Sequence, residues 1–264
     1  MSSSSSLSAY HEETIVAQIT SLYTLLLKLS YFSPEGVEFP PAGANGHIIN
    51  EELCRELHLV PEVISLMKKI PYTFDGYQKP LLGESRAFSY LDGQEIRNGR
   101  DPENTDTSGD LRMDFLKPWE IALTCWVQTD DGFSIILNTK SNIIQIIDAS
   151  AENLNDFREE SEAHHAPTYL QGIINDIYNL EHIYLPGGDI GIAHPESSEQ
   201  VQIKRILIED YGWGTEEFRE EDWRREGEEI CNRISDEAME IWEEQKKKLM
   251  AEKPWKNVNG AYAQ

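Results

Sequence analysis

The chain has 264 residues, enough for a sizeable core in one large domain or in one domain with a long appendage. With 39% hydrophobic and 9% aromatic residues most of it should fold, and 47 acidic against 23 basic residues leave a formal charge of −24. Such a surface repels phosphate backbones and anionic lipid, which argues against nucleic acid and membrane partners and for basic protein faces; solubility alone is the plainer reading of the acidity.

Residues 1–8, with the run Ser2–Ser6, read as a disordered tail. The apolar stretch that follows has no positively charged start or small-residue cleavage site, and it is shorter than a membrane span. A cytoplasmic or nuclear location is expected. Ile15, Ile19, Leu22, Tyr23, Leu26 and Leu29 recur at helical spacing and predict an amphipathic helix from about Ser8 to Ser30. After a rigid connection through Pro34, Pro40, Pro41, Gly43 and Gly46, Asn50 is placed to cap a helix carrying Leu53 and Leu57. Pro61 suits the first turn of the next helix, which must stop before Pro71.

Residues 72 to 118 read as loop-rich, with Arg97–Gly109 as a polar, mobile surface loop. Three short β-branched runs follow, Ile121–Val127, Phe133–Asn138 and Ile143–Ile147, separated by the turn signals Thr129–Gly132 and Thr139–Asn142. They predict a three-stranded antiparallel meander packed on the amino-terminal helices, with Trp126 in the core. Residues 152–166 read as an acidic, irregular linker. Leu170, Ile173, Ile174, Ile177 and Tyr178 mark a further helix, ended by Pro186–Gly187–Gly188. Another opens near Pro195, with Val201, Ile206 and Leu207 as its buried face. From Glu220 to about Glu252 the chain reads as one long charged helix. Its apolar stripe is Trp223, Ile230, Ile234, Ala238, Ile241, Trp242 and Leu249, interrupted at Gly227. The fold class is therefore α+β, with an α+β domain over residues 9–215 and a charged helix and tail over 216–264.

Chemical motifs begin and then fail. His11–Glu12–Glu13–Thr14–Ile15 starts like a zinc-binding HExxH, but Ile15 stands where the second histidine is needed. Gly83–Glu84–Ser85–Arg86–Ala87 has the outline of a nucleophile elbow without the preceding core strands. His164 and His165 are adjacent, which prevents convergence on one ion, and they read as part of the acidic linker. Pro186–Gly187–Gly188–Asp189–Ile190–Gly191 lacks the spacing of a phosphate cradle. Cys54, Cys125 and Cys231 are scattered and odd in number, as in a reducing compartment. No metal or cofactor is expected. The remaining candidates for a binding surface are Arg100, Asp101, Tyr211 and Trp213, with a buried ion pair and an aromatic corner as the structural alternatives.

Several motifs taken in order resemble a large family of proteins from filamentous fungi. They are Leu29–Ser30–Tyr31–Phe32, Pro40–Pro41, Ile70–Pro71–Tyr72, Arg100–Asp101–Pro102, Ala122–Leu123–Thr124, the hairpin Asp131–Ile147 and Tyr211–Gly212–Trp213. The resemblance spans roughly residues 10 to 215 and carries no assigned activity with it. More distantly, Asp130–Asp148 is similar to the central hairpin of the SUKH superfamily, which includes the yeast cell-wall assembly regulator and bacterial toxin-immunity proteins that act by binding proteins. The acidic run 152–166 and the Pro186–Gly191 segment depart from both patterns. A non-catalytic interaction or regulatory protein is the leading expectation, with a protein partner of basic character. The alternative is a small-molecule enzyme or accessory protein in a fungal biosynthetic pathway. It would need a pocket between hairpin and helices.

Overall fold

The structure, a computed structural model, describes residues 9–43, 45–74, 79–82, 85–102, 111–126, 133–148, 163–187 and 197–252, the side chains of Trp126, Asp148, Ala251 and Glu252 excepted. The first helix, α1 (Glu12–Lys28), begins on Glu12 and Glu13 and ends on Lys28, charges that suit the helix dipole at each end. Its face of Ile15, Ile19, Leu22, Tyr23 and Leu26 is buried. Ser30 takes φ 59°, and the Tyr31 amide returns to the Leu26 carbonyl at 3.0 Å to close the helix. Strand β1 (Val37–Glu38) pairs antiparallel with β2 (Tyr72–Thr73). Between them lie α2 (Glu51–Glu56), capped by the Asn50 side chain on the Leu53 amide at 3.0 Å, and α3 (Pro61–Lys69), which opens on Pro61 as its sequence predicts.

The stretch expected to be loop holds β3 (Ser85–Ala87) and α4 (Gly93–Asn98), the latter capped by Asp92. Arg97, exposed, and Asn98 close that helix, and Asn98 to Pro102 are buried, so this part of the expected mobile loop is interior; the rest of it, 103–109, lies outside the described residues. The antiparallel β signal is correct in kind, but its first run is two strands. β4 (Glu120–Ala122) pairs with β6 (Phe133–Asn138), whereas β5 (Thr124–Trp126) leaves to pair with β3. At the break the Leu123 amide donates to Ile135 O at 2.8 Å, and the Thr124 hydroxyl accepts from Ile135 N at 3.0 Å. A side-chain oxygen thus replaces the carbonyl that an uninterrupted strand would have offered.

Strand β7 (Ile143–Asp148) pairs with β6 through the Thr139–Asn142 turn, where Asn138 Oδ1 accepts from the Lys140 and Ser141 amides at 3.0 Å each. The other expected turn, 129–132, lies outside the described residues, as does the side chain of Trp126. Strand β8 (Ala163–His165) adds a fourth member, giving the order β4-β6-β7-β8. His164 and His165 are therefore an edge strand rather than linker. Helix α5 (Ala166–Tyr178) follows at once, and it packs on β7, on β8 and on α1. The helical layer against the sheet thus includes α5 and is not the amino-terminal helices alone.

Helix α5 ends at Tyr178, earlier than the Pro186–Gly187–Gly188 signal, because Leu180 takes φ 56° and the Glu181 amide closes on Asp176 O at 2.8 Å. Helix α6 (Ser198–Glu209) is capped by Ser197 and buries Gln200, Ile203 and Leu207; Val201, expected inside, is exposed. Helix α7 (Glu220–Glu252) completes an α+β chain. One core cluster runs from Ile15 of α1 to Ile234 of α7, so the first half of the last helix belongs to the same interior as the rest. No described helix is long and apolar enough to cross a membrane.

Candidate interaction surface

Arg100, Asp101, Tyr211 and Trp213, expected at a surface, are all buried. The Arg100 guanidinium donates to Glu120 O at 3.0 Å, to Lys117 O at 3.1 Å and to Leu116 O. Asp101 accepts from Arg112, through its amide at 2.8 Å, its Nε at 3.0 Å and its Nη2 at 2.7 Å. The motif thereby ties the end of α4 to the chain entering β4. Tyr211 lies edge-on to Trp223 with ring centroids 5.2 Å apart, and its hydroxyl donates to Glu226 at 2.7 Å. Trp213 donates from Nε1 to Tyr178 O at 2.8 Å and packs edge-on against Phe218. Gly212 makes this corner at φ +75°, where a side chain would be strained. The four residues are structural, joining buried segments, and they form no exposed surface.

Other motifs have structural roles too. Ser85 is buried, its hydroxyl donating to Phe133 O at 2.5 Å and accepting from Phe133 N at 3.0 Å, which leaves no lone nucleophile. Ile15, in the second-histidine place, is core. His165 Nδ1 lies 2.9 Å from Thr168 Oγ1 and Nε2 lies 3.4 Å from Asn142 Nδ2. The Asn142 side-chain amide also donates to Ala9 O, so His165 is held between β7 and the start of α5. Among the described residues no group of three His, Cys, Asp or Glu side chains is placed to hold a metal.

Exposed large apolar side chains lie along the outer half of α7, and singly elsewhere at Ile48, Phe74, Val201 and Ile208. Trp223, Gly227, Cys231 and Ile234 are buried in succession, with Ile230 half-buried beside them. Trp223 is 0% exposed, and its Nε1 donates to Leu29 O at 2.9 Å. Gly227 does not break this stripe: a Cβ there would stand 2.9 Å from the Trp223 ring and 3.1 Å from Pro186, so only glycine lets the helix lie this close. At 3.6 residues per turn the same face continues through Ala238, Ile241, Trp242, Gln245 and Leu249. There the cover stops. Ile241 is 58% and Trp242 54% exposed, and Met239, Leu249 and Met250 are exposed with them. Asp236, Glu237, Glu240, Glu243 and Glu244 precede Lys246, Lys247 and Lys248 along this segment. The expected packing of α7 through Trp223, Ile230 and Ile234 is present; that of Ile241 and Trp242 is not.

A second feature is a cleft of about 450 Å³ between the start of β6 and α5. Leu82, Phe133, Tyr169, Ile173, Ile177 and Tyr184 make its apolar wall, while Thr168, Asp176 and His182 bring polar groups to it. Burial pushes the Tyr169 phenol up, and the Tyr184 hydroxyl is spent on Leu81 O at 3.1 Å. Gly172 lines the cleft, and a Cβ there would meet nothing within 4 Å. The cleft had one sequence signal, a glycine in the interior of an otherwise regular helix pattern; Asp176 and His182 had none. Met239 and Met250 belong to the exposed α7 surface and were outside the apolar stripe read from sequence. Compared with protein-family models, curated proteins and solved structures, the chain matches none.

Proposed function

We propose that this is a non-catalytic interaction protein whose contact element is the outer half of α7. The observation that carries the reading is a stripe that is core through Ile234, half-buried at Ala238 and uncovered from Ile241 to Leu249, with Trp242 and Ile241 more than half exposed. A contiguous apolar patch on a soluble surface marks a binding site, and tryptophan is enriched where binding energy concentrates. The acidic turns Asp236–Glu244 favour a partner with basic groups beside an apolar groove or helix face. The resemblance of the sequence 130–148 to the central hairpin of the SUKH superfamily, whose members act by binding proteins, is a fold-level analogy in the same direction. The test compares the full chain with an Ile241→Asp/Trp242→Asp variant as bait in native extract. Proteins captured by the first and lost from the second, at equal melting temperature, support the reading; capture indifferent to these residues overturns it.

The cleft favours the small-molecule reading. It is of ligand size and apolar, with three polar groups. Gly172→Phe would fill it without a clash at Cβ. A compound whose stabilising thermal shift disappears in that variant alone would establish this second activity.

A further inference from the structure

We infer that the cleft between β6 and α5 takes a small cationic ligand, a flat apolar ring carrying a protonated amine; this rests on the small-molecule reading of the cleft. Helix α5 builds most of the site. Tyr169, Gly172, Ile173, Asp176 and Ile177 recur at three- and four-residue spacing and so share one face of it. Tyr169 and Asp176 are about 10 Å apart along the helix axis at ~1.5 Å per residue, and Gly172 leaves open space between them. The cleft is divided by polarity. Tyr184 is buried and Phe133 and Tyr169 are half-buried, while Asp176 and His182 are exposed and belong to its rim. A ligand matched to it is apolar over most of its length and polar at one end.

The sign of charge at that end follows from the titratable groups lining the cleft. They are Asp176, His182, Tyr169 and Tyr184, and among the described residues no lysine or arginine is with them. The Tyr184 hydroxyl is bonded to Leu81 O, whereas the Asp176 carboxylate has no hydrogen bond or ion pair among the described residues. Glu181, by contrast, is paired with Lys204 at 2.8 Å. An apolar body laid over Asp176 strips its water and leaves the carboxylate unanswered; an ammonium answers it. The aromatic faces of Phe133 and Tyr169 favour a cation too, and a formal charge of −24 draws cations in and turns anions away. Among the described residues, positive charge for an anion could come only from His182 on the rim and from His164 beside the Tyr169 ring, at 5.2 Å.

Ligand-observed NMR titration of the full chain with two matched series tests this: tryptamine, tryptophol and indoleacetate, and phenethylamine, phenethyl alcohol and phenylacetate. Compounds of about ten non-hydrogen atoms should bind in the millimolar range. The expected order in each series is amine, alcohol, acid, with the amine bound at least about threefold tighter than the alcohol. Asp176→Asn, a change at an exposed site, should erase that advantage and leave the alcohols as they were. Gly172→Phe should remove binding of every compound; Gly172→Leu, smaller in the same open space, takes its place if the phenylalanine unfolds the chain. Alcohols or acids that match or outdo the amines, or an amine advantage that survives Asp176→Asn, overturn the inference, and if Gly172→Phe still removes their binding the cleft reading stands without it. Absence of binding by both amines up to about 10 mM overturns the inference as well. Binding indifferent to filling the cleft at Gly172 overturns both.

Discussion

Two glycines in helices have opposite surroundings and should respond oppositely to one substitution. At Gly172, inside α5, an added methyl meets open space, so Gly172→Ala removes backbone entropy from the unfolded chain at no steric cost. It should stabilise the protein by about 0.5–1 kcal/mol in urea unfolding. Gly227→Ala brings the same helical gain but drives its methyl against the Trp223 ring and Pro186. A net loss of about 1–2 kcal/mol is expected from that overpacking. Tyr211 offers a pH-dependent counterpart. Burial, and then its bond to Glu226, raises its phenol to about 12. The unfolded chain releases that proton near 10, so this contribution is complete below about pH 10 and fades as the pH rises toward 12. Alkaline unfolding of Tyr211→Phe should be less steep across that window than that of the parent. The four residues singled out as a surface show how residue-scale reading misleads: Arg100 and Asp101 are polar, yet carbonyls and Arg112 satisfy them inside.

Among the elements, α7 is divided by its own burial, and each half makes its own prediction. Trp223→Ala should cost about 3–5 kcal/mol, from the cavity and an unanswered Leu29 carbonyl. Trp242→Ala should change the stability of the monomer by less than about 0.5 kcal/mol. Removing residues 236–264 should leave the melting temperature nearly unchanged, whereas removing 220–264 strips Trp223, Cys231 and Ile234 from the core and should unfold or aggregate the chain. Elements defined by periodicity and caps were legible: α1, the Asn50 cap, Pro61, the Thr139–Asn142 turn and both ends of α7. The division of the Ile121–Val127 run was not, because a β-branched run reads the same whether it serves one sheet or two. What divides it is the Thr124 hydroxyl meeting Ile135 N across the fold. Helix α4 was hidden by its length of six residues, too short to show a period. Likewise the extent of the α7 stripe was visible, but how far the body reaches along it depends on tertiary packing alone.

For the whole molecule the governing quantity is a formal charge of −24. Self-repulsion of that size should be relieved by screening, so the melting temperature should rise as sodium chloride goes from about 0.02 to about 0.3 M.

The bond from Trp223 Nε1 to Leu29 O joins groups 194 residues apart, which places a clock on biosynthesis. A translating ribosome adds about 5–20 residues per second, so roughly 10–40 s pass between the making of the first helix and of the indole that docks at its end. During that interval the nascent chain carries the end of α1, with its Leu29 carbonyl, without the indole that docks there. Folding of the nascent chain is thus finished late and from the carboxy-terminal side, and the growing polypeptide has a defined period in which a chaperone can hold it.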